Sequence, residues 1–199
     1  VTAEDGNGGS ASVTSAGVTV ANSEPVFTIT PSISGTADIG SLLSIVNTAN
    51  TDADGDATSL SYQWQSDGVD IAGAVSASYT LTPADAHAAI TAIVTSDDGN
   101  GGTTTVTTGS LTIGNNSPVF TATPTISGSA RVGSNLTATN TATTDVDGDS
   151  VSLSYQWKAN GVDIAGATGK NFTPTAAQAH ASITVVVTGV DGNGGSAVA

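Results

Sequence analysis

Leu60, Tyr62 and Trp64 alternate with Ser61, Gln63 and Gln65, so Ser59 to Gln65 predicts a strand with one apolar and one polar face. Shorter segments carry the same pattern. Leu43, Ile45 and Asn47 share a face of Ser41 to Thr48, and Tyr79 and Leu81 share a face of Ser76 to Thr82. Ile90 and Val94 point inward from Ala88 to Thr95. Pro25 to Thr30 predicts an edge strand, with Pro25 at its start where no ladder donor is required. Val69 to Ala72 and Thr103 to Ile113 complete the set, Asp67-Gly68 is a hairpin turn, and Pro83 to His87 is a compact turn. About seven short strands at roughly 8–12-residue spacing, with one Trp in a central strand, predict an all-β, immunoglobulin-like sandwich. Trp64 is the expected core pin of its third long strand.

The whole pattern repeats. Pro25-Val26-Phe27 returns as Pro118-Val119-Phe120, Tyr62-Gln63-Trp64 as Tyr155-Gln156-Trp157, and Gly68 to Ala74 unchanged as 161 to 167, always at an offset of 93. That period is domain-sized, longer than the roughly 20–50 residues of a solenoid turn. The expected organisation is tandem sandwich domains joined end to end. Residues 1–22 form the tail of a preceding repeat, 23–114 one repeat, and 115–199 a second repeat lacking its final strand.

Composition narrows the function classes. Seventeen acids against three Lys and Arg give a net charge of −14, which argues against nucleic-acid partners and anionic membrane surfaces. No Cys is present, and no apolar run approaches the length of a membrane span. The acids are not spread evenly. Eleven of the 17 sit in Asp/Gly loops: Glu4, Asp5, Asp52, Asp54, Asp56, Asp97, Asp98, Asp145, Asp147, Asp149 and Asp191.

Asp52-Ala53-Asp54-Gly55-Asp56 and its copy Asp145-Val146-Asp147-Gly148-Asp149 place three carboxylates at alternate positions. Two carboxylates about 4 Å apart repel by roughly 4 kcal/mol at an effective dielectric of about 20. A folded chain holds them together when a cation or a set of donors compensates. Ca²⁺ takes six to eight oxygen ligands and fits such a set. In an immunoglobulin-like sandwich the loops between the second and third and between the sixth and seventh long strands lie at one end, beside the incoming linker. Asp52, Asp54, Asp56, Asp98 and Asn100 are therefore expected to converge there, with Asp97 and Glu24 joining them. The second set is Asp145, Asp147, Asp149, Asp191 and Asn193, with Asn116. Ser117 and Val190 replace Glu24 and Asp97 in that set, which predicts weaker binding at the second. The loop is not an EF-hand, since Ala57 and Gln63 stand where that motif needs Gly and Glu. Without a cation, Asp-Gly and Asn-Gly would serve only as turn formers with solvated acids.

Ser61-Tyr62-Gln63-Trp64, Ile71-Ala72-Gly73-Ala74 and Tyr79-Thr80-Leu81-Thr82 resemble bacterial Ig-like domains. Asp52 to Asp56 together with Asp98-Gly99-Asn100-Gly101-Gly102 resembles bacterial cadherin-like repeats. Both kinds occur in the extender region of giant RTX-type adhesins exported by type I secretion. The resemblance implies an extracellular, bacterial cell-surface spacer whose domain junctions are rigidified by Ca²⁺. The longer acidic linker motif of animal cadherins is absent; the linker here is Asn22-Ser23-Glu24.

Other chemistry is sparse. His87 and His180 occupy equivalent positions in separate repeats, so they cannot meet in one site, and a structural role in the turn is expected for each. No Ser sits in a Gly-x-Ser-x-Gly elbow, so no enzyme is expected. The partners expected are neighbouring repeats of the same polypeptide. Ser10 to Asn22 is expected to be a final strand without its domain, able to fill the vacant edge of another molecule head to tail. The alternative functions are a glycan- or protein-binding Ig-like module and an accessory domain of a secreted enzyme.

Overall fold

The computed structural model describes residues 1–199 and contains strands joined by loops, with two short 3₁₀ turns. No helix is long and apolar enough to cross a membrane. Strands β1 (Thr2–Glu4) and β2 (Ser10–Ser12) pair as an exposed hairpin. The first unit contains β3 (Val26–Phe27), β4 (Ser32–Ser34), β5 (Leu42–Val46), β6 (Asn50–Thr51), β7 (Ser59–Ser66), β8 (Val69–Asp70), β9 (Ser78–Thr80), β10 (Ala89–Asp97), β11 (Thr103–Thr107) and β12 (Leu111–Thr112). The second contains β13 (Val119–Phe120), β14 (Thr125–Gly128), β15 (Leu136–Thr139), β16 (Thr143–Thr144), β17 (Ser152–Ala159), β18 (Val162–Asp163), β19 (Asn171–Phe172), β20 (Ile183–Val190) and β21 (Ser196–Val198).

In the first unit a three-stranded sheet, β4-β5-β9, faces a sheet ordered β11-β10-β7-β8, in which β12 also pairs with β10. All ladders are antiparallel. This is the two-sheet arrangement of tandem immunoglobulin-like sandwiches, and the second unit repeats it with β14-β15-β19 and β18-β17-β20-β21. Alternation places Ile90, Ala92 and Val94 of β10 inward against Leu43 and Ile45 of β5. Trp64 is fully buried between the sheets, stacks at 5.8 Å on Tyr79, and donates its indole N–H to Ser76 O at 2.9 Å. Trp157 repeats this with Phe172 at 5.4 Å and Gly169 O at 2.9 Å. Truncating either Trp to Ala would cost about 3–5 kcal/mol.

Two expectations are corrected. Asn47 does not share the buried face of Leu43 and Ile45; it is exposed in a left-handed turn at φ 62° that redirects the chain into β6. Just ahead of the acidic loop, Asn50 and Thr51 pair with Phe27 and Val26. Ser10 to Asn22 is not a continuous strand, because its backbone pairing ends at Val13 and Val18 and Val20 stand exposed. In the first unit the equivalent Leu111 and Thr112 pair with Ile90 and Ala89, and Ile113 is buried. At the equivalent place in the second unit lies a groove of about 510 Å³, lined by Val132, Leu136, Pro174, Ala181 and Ile183 among others.

Candidate metal centre

Each Asp-Gly-Asn-Gly-Gly loop is built on its own carboxylate. Asp98 Oδ1 accepts the N–H of Asn100 at 2.7 Å and of Gly102 at 2.9 Å. Asp191 Oδ1 takes Asn193 and Gly195 at 2.7 and 2.9 Å, and Asp5 Oδ1 takes Asn7 and Gly9, both at 2.9 Å. The backbone passes so close that a Cβ on Gly102 or Gly195 would overlap the Oδ2 of Asp98 or Asp191. That Oδ2 accepts from the linker: Asn22 Nδ2 reaches Asp98 at 2.8 Å, and Asn115 Nδ2 reaches Asp191 at 3.0 Å. Both carboxylates are buried. The linker amide, helped by the loop N–H groups, holds each below the ordinary carboxylate pKa against the opposing effect of burial.

The Asp-x-Asp-Gly-Asp loop packs beside this staple. Asp52 Oδ1 accepts the N–H of Asp54 at 2.8 Å, closing a turn that Gly55 completes at φ 82°. Asp54 Oδ2 accepts the N–H of Ser23 at 2.6 Å, and Asp56 Oδ2 accepts Asn100 Nδ2 at 2.7 Å. The two loops and the linker thus converge at one end, as sandwich topology requires. Carboxylate oxygens of Asp52, Asp54 and Asp56 lie within 4.8 Å of one another. Asp52 Oδ2 is buried and has no hydrogen-bond partner, and neither has Asp145 Oδ2 at the equivalent position. An ionised oxygen withdrawn from water without a donor is costly, and a hard cation would supply what these two lack.

The second end adds a component from the first unit. Asp145 Oδ1 accepts the N–H of Asp147 at 2.9 Å, and Asp147 in turn takes both the backbone N–H and the side-chain amide of Asn116. Asn193 Nδ2 donates to Asp149 Oδ2 at 2.9 Å. The imidazole of His87, from the turn at the far end of the first unit, reaches the same oxygen: His87 Nε2 lies 3.0 Å from Asp149 Oδ2 and 3.3 Å from Asn193 Nδ2. His87, Asp147 and Asp149 present ligand atoms within 4.8 Å of one another. Pro83 of that turn stands beside Gly148. Asp147 is accordingly buried, whereas Asp54 is exposed.

Of the sequence-predicted set, Asp52, Asp54, Asp56, Asp98 and Asn100 meet at the first end; at the second, Asp147, Asp149, Asp191, Asn193 and Asn116 meet, and Asp145 is tied in through the N–H of Asp147. Asp97 and Glu24 lie outside the hydrogen-bonded cluster. Both are exposed; Asp97 Oδ1 accepts only the N–H of Gly99, and Glu24 makes no side-chain hydrogen bond. The two acids that ranked the first end above the second are therefore peripheral. His87 was missed. Its signal was its position in a turn at the end of the unit opposite the acidic loops, which in an end-to-end array faces the next unit's acids.

No family model matches the sequence, and no curated protein matches it. Among solved structures, the three N-terminal domains of the bacteriophage RB49 highly immunogenic outer capsid protein align with 86% of this chain and 57% of that one, at 19% identity and a TM-score of 0.34. Sidekick-1 immunoglobulin domains 1–5 align with 91% of this chain and 38% of that one, at 15% identity and a TM-score of 0.31. The chain thus spans under two thirds of either. Both are strings of domains, but at these scores neither bears on function; the sandwich assignment rests on strand order and register.

Proposed function

We propose that these repeats are structural extender modules, stiffened by Ca²⁺ at their acidic ends, of the kind that would project a distal binding region from a secreted bacterial surface adhesin. The observation that carries this is the pair of buried, partnerless oxygens, Asp52 Oδ2 and Asp145 Oδ2, each in a loop of alternating carboxylates tied to a linker. Asp52, Asp54 and Asp56 would hold the ion at the first end, and Asp145, Asp147 and Asp149 at the second. A cation there neutralises the repulsion and clamps the linker against its unit, so the angle between units is restricted. Extracellular modules hold Ca²⁺ with dissociation constants of about 10⁻⁴ to 10⁻³ M, so such a stalk would stiffen outside the cell and stay supple within it. At 100 times its dissociation constant an ion adds about 2.7 kcal/mol per site. The test is calorimetric melting in excess EDTA and in about 10 mM Ca²⁺, with X-ray scattering in parallel. The melting temperature should rise and the distribution of maximum dimension should narrow. Identical melts would sink the proposal.

A second reading concerns assembly, and the match between this groove and an exposed N-terminal segment favours it. Val18-Thr19-Val20 is the counterpart of Leu111-Thr112-Ile113, the segment that seats on the equivalent surface of the first unit. Supplied by another molecule, it would pair with β20 as β12 pairs with β10. Val18→Asp with Val20→Asp should then abolish concentration-dependent association in sedimentation. A strictly monomeric wild type at high concentration rules the exchange out.

A further inference from the structure

The junction between the two units holds a donor set that calcium does not explain. Ca²⁺ takes oxygen ligands, and imidazole nitrogen is a poor substitute. Imidazole with carboxylates is the ligand chemistry of zinc-class ions, which bind His nitrogen and Asp oxygen at about 2.0–2.2 Å. His87 Nε2 stands 3.0 Å from Asp149 Oδ2, with an Asp147 oxygen in the same cluster. Adjacent donors around a tetrahedral ion of that radius lie roughly 3.3 Å apart, close to the His87–Asp149 separation. Asn193 completes the ring, its amide 3.3 Å from His87 Nε2 and 2.9 Å from Asp149 Oδ2. The nitrogen and oxygen of that amide exchange places by a simple flip, which would turn a donor into a fourth ligand.

The backbone also aims the imidazole. His87 sits at φ 65°, a left-handed conformation uncommon outside glycine, two residues after the 3₁₀ turn Pro83–Asp85. His180 repeats it at φ 64°. The unit thus carries its nitrogen donor at one end and its acids at the other. Neither end holds both, and only stacking one unit on the next brings them together. From this we infer that His87, Asp147 and Asp149 form a bridging site for a zinc-class divalent ion, with Asn193 as its fourth side chain. Such an ion would fasten one unit directly to the next, which an ion held within a single acidic loop does not do. The inference goes beyond calcium binding and does not require it. Both ideas use Asp147 and Asp149, and His87 separates them, because removing the imidazole leaves every oxygen ligand in place.

The experiment is calorimetric titration of chelator-treated, calcium-free protein with ZnCl₂. His87→Asn is the main variant, since Asn tolerates the left-handed turn, and His180→Asn is the matched control. The wild type should bind one Zn²⁺ at the junction. His87→Asn should weaken that binding by more than about tenfold, and His180→Asn should leave it unchanged. Zinc should shift the NMR signals of His87 and Asn193 and spare His180. Equal binding by wild type and His87→Asn, or equal loss in both variants, overturns the inference. Calcium melts of the same three proteins keep the two proposals distinct. If calcium raises the melting temperature of all three, the calcium proposal stands whatever zinc does. If calcium raises none while His87→Asn loses zinc, the bridging site stands alone.

Discussion

The two Asp-x-Asp-Gly-Asp loops carry the same acids on the same scaffold, yet they occupy different environments. At Asp52–Asp56 the loop closes over a linker. Asp54 is exposed and takes the backbone N–H of Ser23, with the Ser23 hydroxyl farther off at 3.4 Å, and nothing stands beside Gly55. At Asp145–Asp149 the turn of the first unit lies on the loop. Asp147 is buried and takes two donors from Asn116, Gly148 meets Pro83, and Asp149 meets His87. The difference teaches that a junction in this molecule is made from both sides. The acidic loop alone supplies a charged cradle. The preceding unit's turn buries it and adds a nitrogen donor.

The largest way to break that comparison is to remove the central carboxylate at each end. Asp147→Ala leaves both donors of Asn116 without their acceptor inside the junction, and should cost about 1–3 kcal/mol in EDTA. Asp54→Ala leaves an exposed Ser23 N–H that water can satisfy, and should cost under about 0.5 kcal/mol. Urea denaturation of the two variants checks this. Equal losses would mean that the covering turn contributes nothing to Asp147.

Much of this was legible before any coordinates. The alternation around Trp64 carries the sheet register, because a period of two assigns every side chain to a face. Convergence of Asp52–Asp56 with Asp98 and Asn100 follows from sandwich topology alone. Three things did not follow. Asn50 and Thr51 carry no apolar signal, so their pairing with Val26 and Phe27 depends on tertiary placement. Val18 and Val20 read as strand but have no neighbouring strand to pair with. His87 and His180 lie in separate repeats, and what gives His87 its place is the acids of the following unit. Contacts across a repeat boundary are set by stacking, and no local pattern encodes stacking.

The second test sharpens the comparison by probing what the ends share. Asp98 and Asp191 have the same loop N–H partners and the same linker amide, at 2.8 and 3.0 Å. Both carboxylates are held below their ordinary pKa, chiefly by Asn22 and Asn115. A carboxylate depressed in the folded state contributes stability that is fully present above its unfolded pKa, about 3.9. That contribution is lost as pH falls through the lower folded value. Asp98→Asn and Asp191→Asn should each be less stable than wild type near neutrality, with the gap closing under acid. Thermal melts from about pH 6 down to about pH 3 should show matching changes for the two variants. Unequal changes would place part of the asymmetry in the Asp-Gly-Asn loops instead of confining it to Asp-x-Asp-Gly-Asp.

The smallest effect is also the most local. Gly55 and Gly148 adopt φ 82° and 81°, so Ala at either position meets the same backbone strain, roughly 1 kcal/mol. They differ only in what the new methyl would touch. At Gly55 it would face open space, and at Gly148 it would lie 3.5 Å from Pro83 Cβ, an ordinary van der Waals contact. One such contact is worth only about 0.1–0.2 kcal/mol, so Gly55→Ala and Gly148→Ala should destabilise almost equally. Paired denaturation curves measure the difference. A markedly larger loss at Gly148 would show that the Pro83 turn presses on the loop with no room for a methyl. The junction would then resist rotation through packing as well as through any ion it holds.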